Sequence, residues 1–135
     1  MAYLKPPVFV RHVFNPLAMR SGLGGSSTLV VARRRSGEEQ RVPVIPVEHA
    51  GARYLVSTRG ESDWVRNLRA AGGAGELRDR TGPQPFRATE LPLQERAPII
   101  AAYRSKAGKA VAGYWKKLPD PTDHPVFRID PAPTP

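Results

Sequence analysis

Short apolar runs rich in β-branched and aromatic residues recur along the chain between glycine and proline turns, the pattern of strands. The first runs from Thr28 to Arg33 and ends in the turn Ser36-Gly37. RVPVIPVEHAG is the second, and Pro43 and Pro46 confine it to an edge or to bulged pairing. Ala50-Gly51 then returns the chain into ARYLVST, the third. These three are expected as an antiparallel meander. After Thr58 the period changes. Trp64 and Leu68 stand four apart, which predicts a helix over Asp63 to Ala71, capped by Ser62, started on the acid Asp63 and stopped by Gly72-Gly73. GELRDRTG and QPFRATEL read as a hairpin. A second helix is expected from about Gln94 to Ser105, with Pro98 in its early turns and Ile99, Ile100 and Tyr103 packed inward. KAGKAVAGYWKKLPDPTD reads as irregular, HPVFRID as a last strand, and PAPTP as a frayed tail. The sum is mainly β with short helices, a small antiparallel barrel.

The N-terminal stretch differs from the rest. Val8, Phe9, Val13 and Leu17 fall near one face of a short amphipathic helix. Packing on the domain is the first reading of it, and a lid over a pocket or a membrane-surface contact is the second. We therefore divide the chain into a helical segment or lid at 1–25, a barrel domain at 26–131 and a tail at 132–135. At 135 residues without an internal repeat, one domain is expected. No apolar run is long enough to span a bilayer, and Arg11, His12 and Pro16 interrupt what would be a signal-peptide core. A cytoplasmic protein, with membrane association as the variant, is the expectation.

Composition removes some chemistries. Cysteine is absent, so disulfides and thiolate metal sites are excluded, and His12, His49 and His124 lack metal-ligand spacing, so no metal site is expected. Charge adds more. Twenty-one Lys+Arg against 12 Asp+Glu leave a net charge of +9, and every cation from Arg11 to Arg104 is arginine. The planar guanidinium fork suits phosphate and carboxylate. Nucleic acid, anionic lipid and a polyanionic cofactor all match the excess. Nucleic acid ranks last, because only 7% of residues are aromatic and few of them interleave with arginine in strands.

Two basic turns narrow the choice further. RRRSG at 33–37 follows the first strand, and STRGE at 57–61 follows the third, just before a helix start. In a meander those two strands are parallel, so Arg34, Arg35, Ser36 and Arg59 emerge at the same end as the free N–H groups of the Trp64 helix. Such N–H groups bind anions readily. Together these features predict a ligand bearing phosphate.

The order RRRSG, RVPVIPV, YLVSTRGESDWVRNLRAAG, HPVFRIDP resembles the deazaflavin-dependent nitroreductase family, from about Leu29 to Pro131. Trp64, Asn67, Leu68 and Ala70 carry its most specific motif. The resemblance implies a split β-barrel related to the FMN-binding barrels, using coenzyme F-420, with FMN as a less favoured variant. It implies that Arg34, Arg35, Ser36, Gly37 and Arg41 hold the phosphate and acidic tail. Thr58, Arg59 and Gly60 would form the loop on the phosphate and deazaflavin sides, and Asp63, Trp64 and Asn67 would border the ring. The chain departs from the family pattern at Arg33 and Gly72, where glycine and asparagine are usual, and at Glu61, where a second glycine is usual.

Hydride transfer to a planar electron-poor acceptor, a quinone or nitro compound, is the activity the resemblance implies. The protein would supply position and electrostatics. Ser57, Tyr54 and Tyr103 are the candidates for acceptor positioning or proton supply, with Tyr114 beside them, and each also has a plain packing reading. The alternative is the same fold holding a fatty acid or other anionic lipid without catalysis. Monomer and homodimer are both open.

Overall fold

Seven strands form one antiparallel sheet whose two edge strands are consecutive in sequence. The computed structural model describes residues 27–132. The strands are β1 (Ser27–Ala32), β2 (Glu39–Val44), β3 (Val47–His49), β4 (Ala52–Val56), β5 (Ala74–Asp79), β6 (Gly82–Glu90) and β7 (Val126–Pro131). Their order across the sheet is β2-β1-β5-β6-β7-β4-β3. Only Ile45 and Pro46 join the edge strands β2 and β3, so the sheet must curl until its edges approach. The result is a split β-barrel, as expected. The N-terminal segment at 1–25 and the last residues of the tail lie outside the described residues.

The predicted second strand is broken at Ile45-Pro46. Its first half pairs with β1 and its second half with β4. Pro46 cannot donate to a ladder, so the break falls where the chain passes from one edge to the other. Pro43 stays in β2, an edge strand with a free side. The hairpin between β3 and β4 turns at Ala50 and Gly51, both with positive φ (50° and 84°), the backbone that right-twisted strands need at a two-residue turn. β1 and β4 are separated by β5, β6 and β7, four antiparallel steps, and therefore point the same way.

Alternation along the strands makes two cores. Leu29 and Val31 of β1, Leu55, Leu77, Phe86, Phe127 and Ile129 fill the barrel, together with Trp64, Val65 and Leu68 of helix α1 (Asp63–Ala70). Val47, Val56 and Val126 face the other way. They meet Ile99, Ile100 and Tyr103 of α2 (Arg96–Ala107) and Val111 and Trp115 of α3 (Lys109–Lys117). Helix α3 stands where an irregular stretch was expected. Val111 and Trp115, four apart, give it a buried edge, and Gly108 (φ 59°) makes the break from α2. Leu93–Glu95 form a 3-10 turn ahead of α2, which moves the helix start past the expected Gln94.

Candidate functional site

The two basic turns do emerge at one end of the barrel. The Arg33–Glu38 turn is closed by backbone bonds in both directions, Arg33 N–H to Glu38 O at 2.8 Å and Gly37 N–H to Arg33 O at 2.9 Å. Ser36 Oγ accepts from Glu38 N–H at 3.2 Å. Asn67 ties this turn to α1. Its Oδ1 accepts from the Arg34 amide at 3.1 Å and from Arg34 Nη1 at 2.7 Å, and its Nδ2 donates to Gln40 Oε1 at 2.8 Å. Asp63 adds an ion pair to Arg34 at 3.5 Å. Arg34, Asp63 and Asn67 thus form one cluster, with Arg34 turned onto the helix. Arg33 and Arg35 have no acidic partner among the described residues. Arg41 leans on its neighbour Glu39.

The specific motif is accounted for. Trp64 and Leu68 are core, with the Trp64 ring 5.8 Å from Phe127 and the residue 6% exposed. Asn67, 2% exposed, is a strap. Trp64 therefore offers at most an edge to a ligand. Gly72 has φ 65°, a left-handed position that glycine and asparagine both tolerate, so this departure from the pattern costs the helix end nothing.

The loop from Ser57 to Ser62 is built tightly. Ser57 Oγ, buried, donates to Gly60 O at 2.5 Å, and Gly60 takes φ 80°. That proton is committed to the loop. Ser62 precedes α1 but makes no side-chain cap; its Oγ stands 3.5 Å from Ser57 Oγ. The expected cap is absent, because the hydroxyl turns to its neighbour in the loop. Among the described residues no side chain bonds the N–H groups of the first turn of α1, and Thr58, half-buried, lies a few residues ahead of it.

Glu61 turns inward. Arg69 donates two hydrogen bonds to it, and those bonds hold the Glu61 carboxyl below its usual range despite burial. Arg69 also binds Glu90, which in turn meets Arg96. Glu61 is thereby neutralised within the protein and adds little negative potential to the loop. Only the pair Glu61 and Arg69, eight apart across the helix start, hinted at this chain in the sequence.

Arg59 reaches the second core. Its guanidinium lies over the Tyr114 ring at 5.9 Å, and its buried Nη1 has no hydrogen-bond partner among the described residues. Tyr103 is close by. Burial, then Tyr114, push its hydroxyl up to about 12, with Arg59 pulling slightly the other way, so it stays a proton donor at neutral pH. Tyr54 is half-buried against the same core. Arg59, Tyr103 and Tyr114 form a group that spacing in the sequence could not assemble. A cavity of about 390 Å³ lined by Arg53, Gln84, Phe86 and Asp130 opens at the other end of the barrel. Arg53 is bonded to Gln84 there, at 3.1 Å. Among the described residues no three His, Asp or Glu side chains gather as a metal site.

A family model, described as F-420H(2)-dependent quinone reductase, matches residues 19–123. The chain belongs to that family. It is an F-420-dependent oxidoreductase, and its cofactor is coenzyme F-420. Solved structures agree on the fold. An F-420-H2-dependent reductase, FDR-A, is 23% identical, with a TM-score of 0.61 over 78% of this chain and 94% of that one. A domain-swapped dimer is 24% identical, with a TM-score of 0.60 over 78% and 80%. ChuZ from Campylobacter jejuni is 15% identical, with a TM-score of 0.60 over 95% and 55%. No curated protein matches the sequence. The residues present fit an anionic coenzyme: among the described residues Arg59 Nη1 is buried without a hydrogen-bond partner, and Arg33 and Arg35 have no acidic partner. No helix among the described residues is long and apolar enough to cross a membrane.

Proposed function

We propose that the protein reduces a planar, electron-poor acceptor of the quinone or nitro class where the Thr58–Ser62 loop meets α3, at the contact of Arg59 with Tyr114. The Arg59 Nη1, buried and without a partner among the described residues, carries this reading. A guanidinium N–H removed from water and left unbonded is costly, and it is satisfied when an anion or a developing oxyanion arrives. Arg33, Arg35, Ser36, Gly37 and Arg41, with the open first turn of α1, would hold the coenzyme's phosphate and acidic tail. Thr58, Gly60, Asp63 and Asn67 shape the loop and helix start between that end and Arg59. When bound, the coenzyme supplies the hydride.

The chain's own residues would do the rest. Arg59 stabilises negative charge that develops on an acceptor oxygen. Tyr103, kept protonated by burial, and Tyr114 donate hydrogen bonds or position the acceptor by stacking. Ser57 acts on the loop, since its proton is already given to Gly60. Soluble acceptors and lipid-dissolved ones share this chemistry, so a membrane contact would concern delivery alone.

The test follows reoxidation of the reduced coenzyme over a panel of quinones and nitro compounds. Turnover is expected, and Arg59→Ala should lower kcat/KM by about 10- to 100-fold, the worth of one charge-assisted bond. Coenzyme binding with no turnover across the panel, or fatty acid bound in its place, would overturn the reading.

A further inference from the structure

The barrel end opposite the basic turns opens into a cavity of about 390 Å³. Strand β4 starts at that end, β7 ends there, and the β5–β6 hairpin turns there. Cross-strand pairs line the cavity: Arg53 with Ile129, Phe86 with Pro131, and Leu77 with Gln84. Side chains alternate along a strand, so these residues share the inner face on which Leu77, Phe86 and Ile129 join the barrel core. A barrel this small usually fills its interior with its own side chains. Here a proline and two long polar residues hold the inner positions nearest the mouth, and the space they leave is the size of one small ligand.

The floor of the cavity is apolar, and an apolar space holds water poorly. It favours an apolar body. The rim is polar. Arg53 Nη1 donates to Gln84 Oε1 at 3.1 Å, and the Gln84 amide donates to Thr81 Oγ1 at 2.7 Å and to Asp79 Oδ2 at 3.4 Å. Those bonds engage both ends of the Gln84 amide. Arg53 keeps donors to spare: among the described residues its Nε and Nη2 have no partner, and its guanidinium pairs with no acid. A guanidinium fork matches a carboxylate. The acids closest in the fold are already engaged. Asp79 accepts from Thr81 as well as from Gln84, and Asp130, on the outer face by alternation, pairs with Arg128 at 3.3 Å. Neither calls for a cation, and their charge sets the site against a second negative charge on the ligand. Phosphates and dicarboxylates are thereby disfavoured, in contrast to the end that carries Arg33 and Arg35.

We propose that this mouth of the barrel is a second binding site, for a compact monocarboxylate with an aromatic or alicyclic body. The body lies on Leu77, Phe86 and Ile129, and the carboxylate meets Arg53 at the rim. The site stands apart from the reaction proposed above and does not depend on it.

Naphthoate is the probe, and methyl NMR of the full chain is the readout. Saturable shifts are expected at Leu77 and Ile129, with a dissociation constant below about 1 mM, and none at Val111 in the other core. Naphthylmethanol, which lacks the charge, should bind at least about tenfold more weakly, the size of one charge-assisted bond. Arg53→Gln should weaken naphthoate by the same factor and leave the coenzyme titration within about twofold. If that variant does not fold, the comparison of acid with alcohol on the native chain decides. No shift at Leu77 and Ile129 would overturn the site. Equal binding of the alcohol, tighter binding of naphthylmethylamine, or displacement of naphthoate by coenzyme F-420 would do the same. Nuclear Overhauser contacts to the Leu77 methyls from residues 1–26, or from another copy of the chain, would give the space to the protein itself and also overturn it. A failed reductase assay moves none of these readouts.

Discussion

Glu61 shows how a single position can mislead when read alone. Opposite an expected anion, a carboxylate where glycine is usual suggests repulsion. In the fold it is 6% exposed and bound twice by Arg69, so its charge is spent inside the protein. Glu61→Gln should cost about 1–2 kcal/mol in urea unfolding, discounted because Arg69 is one-third exposed. Its pH dependence has a definite sign. The folded carboxyl lies below its ordinary 4.5, so the contribution is full above that value and is lost as pH falls through the lowered one. The variant should therefore lose less stability on acidification below about 4.5 than the native chain does. Parallel acid limbs would show that Glu61 has no such role. Asn67 was legible as a motif residue, but its task was not. With its amide joining Arg34 and Gln40, Asn67→Leu should cost about 2–3 kcal/mol and weaken coenzyme binding as the turn loosens, a pairing that denaturation and fluorescence titration can separate.

At the scale of elements, local pattern was a good guide and partner choice a poor one. Residues 28–33, 52–58 and 63–71 were read nearly as they stand, because alternation, the Trp64–Leu68 spacing and the glycine stop are written in adjacent residues. The split of the second strand was half legible. Two prolines marked trouble, but only barrel closure explains why the break falls at Pro46. Helix α3 was missed for a physical reason: Gly108 and Gly113 depress local helix preference, and burial of Val111 and Trp115 overrides it. The meander's conclusion, that both basic turns share one end, survived although β4 sits four places from β1. A glycine at the α1–β5 junction gives a sharp test. Gly73 has φ 88°, and a Cβ there would lie 2.3 Å from Ala88 O, a backbone atom that cannot step aside. Gly73→Ala should destabilise the fold by about 2 kcal/mol or more in thermal or urea unfolding. A loss under about 0.5 kcal/mol, the size of an ordinary surface change, would mean that the junction relaxes.

For the whole molecule the net charge of +9 and the few fixed contacts act on different rate constants. Long-range attraction steers an anionic coenzyme toward the barrel end where Arg33 and Arg35 are unpaired, and it is screened over about 10 Å at 0.1 M salt. Short contacts such as those of the Arg59 loop are made only after docking and are screened little. Raising salt from about 0.05 to about 0.5 M should therefore slow coenzyme association by roughly tenfold and leave dissociation within about twofold. Arg33→Ala with Arg35→Ala should reproduce much of that slowing at low salt and reduce the further effect of added salt. Stopped-flow fluorescence measures both constants in one experiment. A salt effect confined to dissociation would place the coenzyme's charges against buried cations from the first encounter, and the unpaired turn would then lose its part in capture.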